Sequence, residues 1–392
     1  MAIEFDKRQL RSYEIKMKKK KHIKIIMTAL VIMVAIIIAV IALKFMLQKN
    51  YSNYQVINTM KREDSTSAKY LSYQGGVLRY SRDGAMAMDA GGNMLWNGTY
   101  QMKDPIVDIS SKFAAIADRG YKTVEIFDGE GGMNTVEVLY PIIDVNIANQ
   151  GVIAVLMEGK ETNYIYIYDK EGVELVDNRT VASKDGFPID IALSEDGRKL
   201  ATSYVAINSG EVQSKLTFYN FGKVGENYED KTTGAFDYGK TIIANLEFLD
   251  NDTICAFGDN KFSIYSMKEI PKLVFEETVN TEIKSILYNN QYVGYVHENP
   301  ESELQSKIML YDLKGNKVLD KNMDFSYENI YLSGNHIIMH TNLEWLIWET
   351  DGDEILRYTF DKNINYILPC TSERKFIIIS NQNMQEIQLV EE

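Results

Sequence analysis

Apolar residues follow two different patterns along this chain of 392 residues. Residues 25–43 form one uninterrupted run that contains no charged residue and no proline. From about Ala68 onward, short runs rich in β-branched and aromatic residues alternate with Asp, Gly and Asn, which break the runs about every 8 to 12 residues. The first pattern is typical of a helix that is apolar on all sides, and the second is typical of antiparallel β-structure.

The apolar run is long enough to cross a membrane, because 19 residues at about 1.5 Å each reach nearly 30 Å. Residues 1–24 hold nine Lys and Arg, whereas residues 44–61 hold three. Since basic flanks stay in the cytoplasm, the sequence predicts a basic cytoplasmic tail (1–24), a transmembrane signal anchor (25–47) and an extracytoplasmic body. A cleaved signal peptide is the alternative, because Val40 and Ala42 suit a cleavage site.

The β-rich part repeats. An inner run recurs eight times and is usually followed by a second run, a third run that ends at an Asp-Gly type of turn, and a more variable fourth run. The eight inner runs are KYLSYQG (69–75), PIVDIS (105–110), IIDVNIA (142–148), PIDIALS (188–194), IANLEFL (243–249), IKSILYN (283–289), ENIYLSG (328–334) and INYILPC (364–370). Four strands per roughly 40 residues is the period of a propeller blade. The sequence therefore predicts an all-β fold, a β-propeller over residues 68–392 with eight four-stranded blades; seven blades remain the alternative.

The last unit ends at its third run, EIQLV, and lacks a fourth. YQVINTM (54–60), within a segment assigned as linker and ring-closing strand (48–67), is the natural donor of that strand. Residues 205–234 form the longest insertion, and we expect a loop there, where binding surfaces tend to lie.

Charge and cysteine content narrow the classes of function. The formal net charge is −13 and the first 24 residues contribute +6, which leaves −19 for the rest, without basic blocks. This distribution argues against nucleic-acid binding. Cys255 and Cys370 both lie in apolar runs, 115 residues apart, and a pair this far apart is more often unpaired than disulfide-bonded.

No residues form a recognisable catalytic, cofactor or metal motif. His336 and His340 share one face of a strand, but a metal site would need further ligands. The aspartates of DNDTICAFGDN (250–260) lack a glycine at the sixth position and the distal carboxylate of a calcium loop. Trp96 raises the possibility of a quinoprotein-like enzyme, yet its motif does not recur, and we interpret it as packing between blades. We predict that the protein is not an enzyme and binds no cofactor.

The order of segments resembles an uncharacterised family of single-span, membrane-anchored bacterial proteins of the clostridial group, catalogued as a domain of unknown function. The similarity covers nearly the whole chain and is carried by the basic tail, the span and the motifs LRYSRDG (78–84), LWNGTY (95–100), IALSEDGRKLATSY (191–204), LTFYNFGKVG (216–225) and AFGDNKFSIYS (256–266). The resemblance implies a WD40-like or PQQ-like propeller and implies no reaction.

We therefore expect a protein-binding or scaffolding module at the bacterial cell envelope, by analogy with lipoprotein propellers that serve as assembly scaffolds. Its partner would be a protein at the outer face of the membrane. The alternative is a sensor that binds a small ligand or glycan in the central channel of the propeller. By position, the candidate channel-lining residues are Tyr73, Asp190, Glu247, Tyr288 and Tyr331.

Overall fold

The computed structural model divides the chain into two units, Met1–Asn50 and Tyr51–Glu392. It describes residues 17, 20, 21, 24, 26–36, 38–39, 50–62, 67–160, 162–181, 186–208, 210–300 and 306–391. In the first unit, residues 26–36 are helical. Within the described part of the chain, no helix combines the length and the apolarity needed to cross a membrane. Residues 25, 37 and 40–47 of the expected anchor, and most of the tail, lie outside the described residues.

The second unit consists of antiparallel strands that pair into eight sheets of four. Blade 1 holds β2 (Lys69–Tyr73), β3 (Gly76–Tyr80), β4 (Gly84–Met88) and β5 (Met94–Thr99). Blade 2 holds β6 (Pro105–Ile109), β7 (Ala114–Asp118), β8 (Thr123–Phe127) and β9 (Met133–Glu137). Blade 3 holds β10 (Ile142–Ile147), β11 (Ile153–Met157), β12 (Thr162–Tyr168) and β13 (Glu174–Val181). Blade 4 holds β14 (Phe187–Leu193), β15 (Lys199–Asn208), β16 (Glu211–Asn220) and β17 (Thr232–Gly239).

The remaining blades repeat this order. Blade 5 holds β18 (Ile243–Phe248), β19 (Thr253–Gly258), β20 (Lys261–Ser266) and β21 (Lys272–Thr278). Blade 6 holds β22 (Ile283–Tyr288), β23 (Tyr292–Glu298), β24 (Ser306–Asp312) and β25 (Lys317–Met323). Blade 7 holds β26 (Asn329–Ser333), β27 (His336–His340), β28 (Glu344–Glu349) and β29 (Glu354–Thr359). Blade 8 holds β30 (Ile364–Pro369), β31 (Lys375–Ser380), β32 (Asn383–Glu391) and β1 (Tyr51–Lys61).

Strands of each blade are lettered A to D from the channel outward. The central residues of the B strands are buried, and β7 and β11 are buried along their whole length, because neighbouring blades cover both faces of each sheet. The D strands alternate between exposed and buried residues, as in β5. The A–B and C–D turns lie on one face of the ring, which we call the AB face. The B–C turns and the connections between blades lie on the other, the BC face.

Aromatic side chains fill the space between blades. Trp96 of blade 1 stacks on Phe127 of blade 2, with ring centroids 4.4 Å apart, and Trp345 of blade 7 packs edge-on against Phe376 of blade 8 at 4.9 Å. Such pairs add about 0.5–1.5 kcal/mol to the burial of their area. The assignment of Trp96 to packing between blades is confirmed.

The ring closes between its first and last strands. Strand β1 pairs antiparallel with β32, from Tyr51 opposite Glu391 to Lys61 opposite Asn383, and completes blade 8 as its D strand. The segment that the sequence offers for ring closure lies in this position. The eight-bladed prediction is confirmed, and the seven-bladed alternative is wrong.

The expected long loop at 205–234 is mostly a hairpin, so that prediction is wrong. Strands β15 and β16 are ten residues each and pair up to Asn208 opposite Glu211. The inner strand β14 pairs only as far as Val205, and the outer strand β17 only as far as Ser214. Residues 206–208 and 210–213 therefore project beyond their sheet on the BC face. Ile207 and Val212 face each other as a strand pair near the tip. The polar residues 208–211 lie between them in sequence, and they make this part of the chain resemble a loop.

Candidate functional site

The A strands of blades 2 to 6 line a cavity of about 690 Å³ at the channel. Four carboxyl groups on the A strands line it, one from each of blades 2 to 5: Asp108, Asp144, Asp190 and Glu247. Glu195, in the A–B turn of blade 4, is a fifth acidic residue of the lining. Asn146, Asn245 and Tyr288 add further polar groups, and no Lys, Arg or His is found among the described lining residues. The site is therefore acidic and polar.

Three of the five predicted channel residues come together in this cavity. Asp190 and Glu247 lie on neighbouring A strands, and the Tyr288 hydroxyl donates a hydrogen bond of 2.6 Å to Glu247 Oε1. Tyr73 and Tyr331 lie on A strands of blades 1 and 7 but are not among the described residues that line the cavity. Their hydroxyls donate instead to backbone carbonyls of the next blade, at Lys112 and Ile367.

These five residues share a structural role, because each forms a hydrogen bond between neighbouring blades. Together with five others they form a hydrogen bond at every junction of the ring, and we call this set the inter-blade ring. On one side, side chains accept from the next blade: Asp108 from Ile147 N (2.7 Å), Asn146 from Leu193 N (3.0 Å), Asp190 from Leu246 N (2.6 Å) and Glu247 from the Tyr288 hydroxyl. On the other, hydroxyls make the link: Tyr327 to Ser285 (2.9 Å), Tyr331 to Ile367 O, Ser72 to Pro369 O (2.8 Å) and Tyr73 to Lys112 O.

Irregularities in three A strands precede polar side chains that line the cavity. The pairing with strand B shifts by one residue just before Asp144, Asp190 and Asn245. A bulge of this kind bends the strand and redirects the side chain that follows it. Here it turns polar groups toward the channel and the next blade instead of into the apolar space between sheets.

Burial changes the acidity of the four carboxyl groups. It raises the pKa of Asp108 to about 7, and it raises the pKa of Asp190 to about 8 with a further contribution from the charge of Asp144. It also raises the pKa values of Asp144 and Glu247. Desolvation and mutual repulsion thus favour the neutral acids. Near neutral pH the cavity holds protons as well as negative charge, and it can bind and release them.

Sequence reasoning missed Asp108, Asp144, Asn146 and Asn245. The signal was present, since the inner runs of blades 2 to 5 each carry polar residues within otherwise apolar strands. A single polar residue in an apolar strand has little meaning. Polar residues at a similar place in the inner runs of four successive blades indicate a common position that faces the channel.

Other candidate positions lie elsewhere. Cys255 and Cys370 are free thiols. His336 and His340 are buried in β27, and burial lowers both pKa values. In the described parts of the chain, no three His, Cys, Asp or Glu residues are grouped so as to hold a metal ion.

Eight closed blades with channel-facing A strands define a β-propeller protein. Solved structures agree: BamB from Moraxella catarrhalis matches 86% of this chain and 98% of its own at 12% identity, with a TM-score of 0.54. Saccharomyces cerevisiae Sqt1 matches 88% of this chain and 100% of its own at 10% identity, with a TM-score of 0.57. At these identities the likeness shows the fold alone.

The particular family is given by sequence. Residues 47–389 match a family of unknown function (DUF5711), and the chain belongs to that family. No curated protein matches the chain.

Proposed function

We propose that this propeller is a protein-binding or scaffolding module, held by a signal anchor at the outer face of the bacterial cytoplasmic membrane. The observation that carries the binding role is the hairpin of blade 4. Ile207, near its tip, is 75% exposed, the facing Val212 is 39% exposed, and Phe187 at the start of β14 is 59% exposed. Large apolar side chains exposed near a projecting tip and at its base favour contact with another protein.

The hairpin is built to present this tip. Beyond Val205 its two strands pair only with each other, so the tip stands clear of the sheet. The chain before and after the tip is fixed by pairing with β14 and β17. A rigid base with an exposed apolar end loses little conformational entropy on binding.

The sequence supports the anchor. Residues 25–43 are uncharged over a length that matches a bilayer, and the lysine-rich side precedes them. The proposal places the tail in the cytoplasm and residues 68–392 outside.

The binding role is tested by a surface change that leaves the fold intact. Ile207→Asp together with Val212→Asp should abolish co-purification of partners that are crosslinked to the tagged full chain in cells. Tyr228→Asp, which replaces an exposed residue on the AB face, is the matched control and should retain them. Equal recovery from both variants would refute the role of the hairpin.

The anchor is tested with a C-terminal tag: external protease should degrade the tag in intact cells, and the protein should sediment with membranes.

A second candidate function is a sensor that binds a ligand in the channel. The cavity of about 690 Å³ and its convergent carboxyl, amide and phenol groups favour it. Native mass spectrometry of the purified full chain should then show a bound molecule that is lost in Glu247→Gln. A ligand-free spectrum would leave the protein-binding function in place and remove this one.

A further inference from the structure

A second cavity, of about 850 Å³, opens on the BC face, away from the channel. Tyr140 and Pro141, in the connection from blade 2 to blade 3, form one wall. Glu158, Gly159 and Lys160, in the turn after β11, form the other, and Tyr164 of β12 lies between them. We call this cavity the tyrosine groove.

Two aromatic rings form its floor. Tyr140 and Tyr164 stack in parallel, with centroids 4.1 Å apart and planes 2° apart. Tyr166, which is buried, meets Tyr164 edge-on at 6.0 Å. Tyr140 and Tyr164 are only half-buried, so the stack has flat aromatic surface within reach of a ligand.

The walls are held by the backbone. Glu158 N donates to Pro141 O at 2.8 Å, which ties the turn to the connection between blades. Gly159 lets the turn approach closely, because a Cβ at this position would lie 2.2 Å from Thr162 O and 2.9 Å from Tyr164 Cε2. The groove is therefore set before any ligand arrives, and this lowers the entropy cost of binding.

Its polar groups select the chemistry of the ligand. Three residues close together in sequence line the groove and carry polar groups: the carboxylate of Glu158, the ammonium of Lys160 and the hydroxyl of Thr162. The opposite charges disfavour a ligand with strong net charge of either sign. A ligand with donors and acceptors on one rim and an apolar face can use all three groups and the rings. A proline-rich peptide would pack on the rings, but it offers few N–H donors to the carboxylate.

We propose that the tyrosine groove binds neutral carbohydrate, with the C–H face of a sugar ring against the tyrosine stack and its hydroxyls on Glu158, Lys160 and Thr162. This goes beyond a protein-binding role, because the groove and the blade 4 hairpin are separate surfaces. The sugar-binding proposal and the protein-binding proposal can therefore fail independently. Loss of sugar binding should leave partner crosslinking at Ile207 unchanged.

Saturation-transfer NMR on the purified full chain tests this with three probes: cellohexaose, chitohexaose and decaproline. We expect transfer to at least one hexasaccharide, strongest at ring C–H protons, and an affinity about tenfold lower in Tyr140→Ala. Glu158→Gln should weaken sugar binding without changing the melting temperature, which guards against a folding defect in the tyrosine variant. Tyr228→Ala is the control and should bind as the native chain does. No transfer to either sugar, transfer to decaproline alone, or equal affinity in Tyr140→Ala and Tyr228→Ala would overturn the proposal.

Discussion

The two sides of the inter-blade ring perform one task with different chemistry. From blade 2 to blade 6, Asp108, Asn146, Asp190 and Glu247 accept hydrogen bonds across each junction. From blade 6 round to blade 2, Ser and Tyr hydroxyls make the links. Only the first side contains acids whose pKa values are moved toward neutrality. Either chemistry can therefore join neighbouring blades, but only the side with carboxyl groups makes the stability of the junctions depend on pH.

The largest expected effect is on the pH dependence of stability. The folded-state pKa values of Asp108 and Asp190, about 7 and about 8, exceed their ordinary value of 3.8. Between about pH 4 and the folded-state pKa of each group, the folded chain therefore binds more protons than the unfolded chain. The free energy of unfolding contributed by each group is fully present below about pH 4 and falls as pH rises toward 8, by up to about 1.4 kcal/mol per pH unit. Urea unfolding at several pH values measures this slope.

Asp190→Asn supplies the control for that slope. It keeps an acceptor for Leu246 N but cannot ionise, so the decline between pH 5 and about 8 should become shallower than in the native chain. Identical slopes in the two proteins would show that Asp190 does not carry a raised pKa.

The second prediction separates the hydrogen bond that Asp190 accepts from Leu246 N from the negative charge of the Asp190 carboxylate. At pH 6, Asp190→Ala leaves the buried N–H of Leu246 without its acceptor and should lower the free energy of unfolding by about 1–3 kcal/mol. Asp190→Asn at the same pH should stay close to the native value. If the Ala and Asn variants were equally stable, the bond to Leu246 would not hold this junction.

The smallest effect is expected on the hydroxyl side. Tyr331→Phe removes the bond to Ile367 O and should cost about 0.5–1.5 kcal/mol, because the ring stays packed. The cost should be the same at pH 5 and pH 8, since no carboxyl group takes part in this link. A cost that grows with pH would break the contrast between the two sides.

The sequence alone predicts the fold well and the site partly. Eight inner runs, each with β-branched or aromatic residues, locate all eight A strands, because the same local pattern recurs in every blade. Asp190, Glu247 and Tyr288 were found by their place at strand ends. The sequence does not identify Asp144, because a strand bulge, which depends on pairing with strand B, decides which way its side chain faces. Asp108 lies in a regular A strand, so no bulge explains why it escaped notice.

Two other outcomes have the same cause. Tyr73 and Tyr331 share the strand position of channel residues, yet their long side chains reach the next blade and find a carbonyl there. The hairpin at residues 205–220 looked like a loop because its strands outgrow the sheet, and no short-range signal fixes how far a pair of strands continues. Which groups meet across a blade junction, and how far two strands stay paired, depend on the assembled ring. The local sequence does not determine either.

Site-specific photocrosslinking in living cells tests the central claim, that this propeller binds protein through blade 4, most directly. A photoreactive residue is placed at Ile207 in the full chain, and in a parallel chain at Tyr228 on the AB face. We expect a discrete crosslinked protein from Ile207 that is absent from Tyr228. No adduct at Ile207, or the same adducts from both positions, would contradict it.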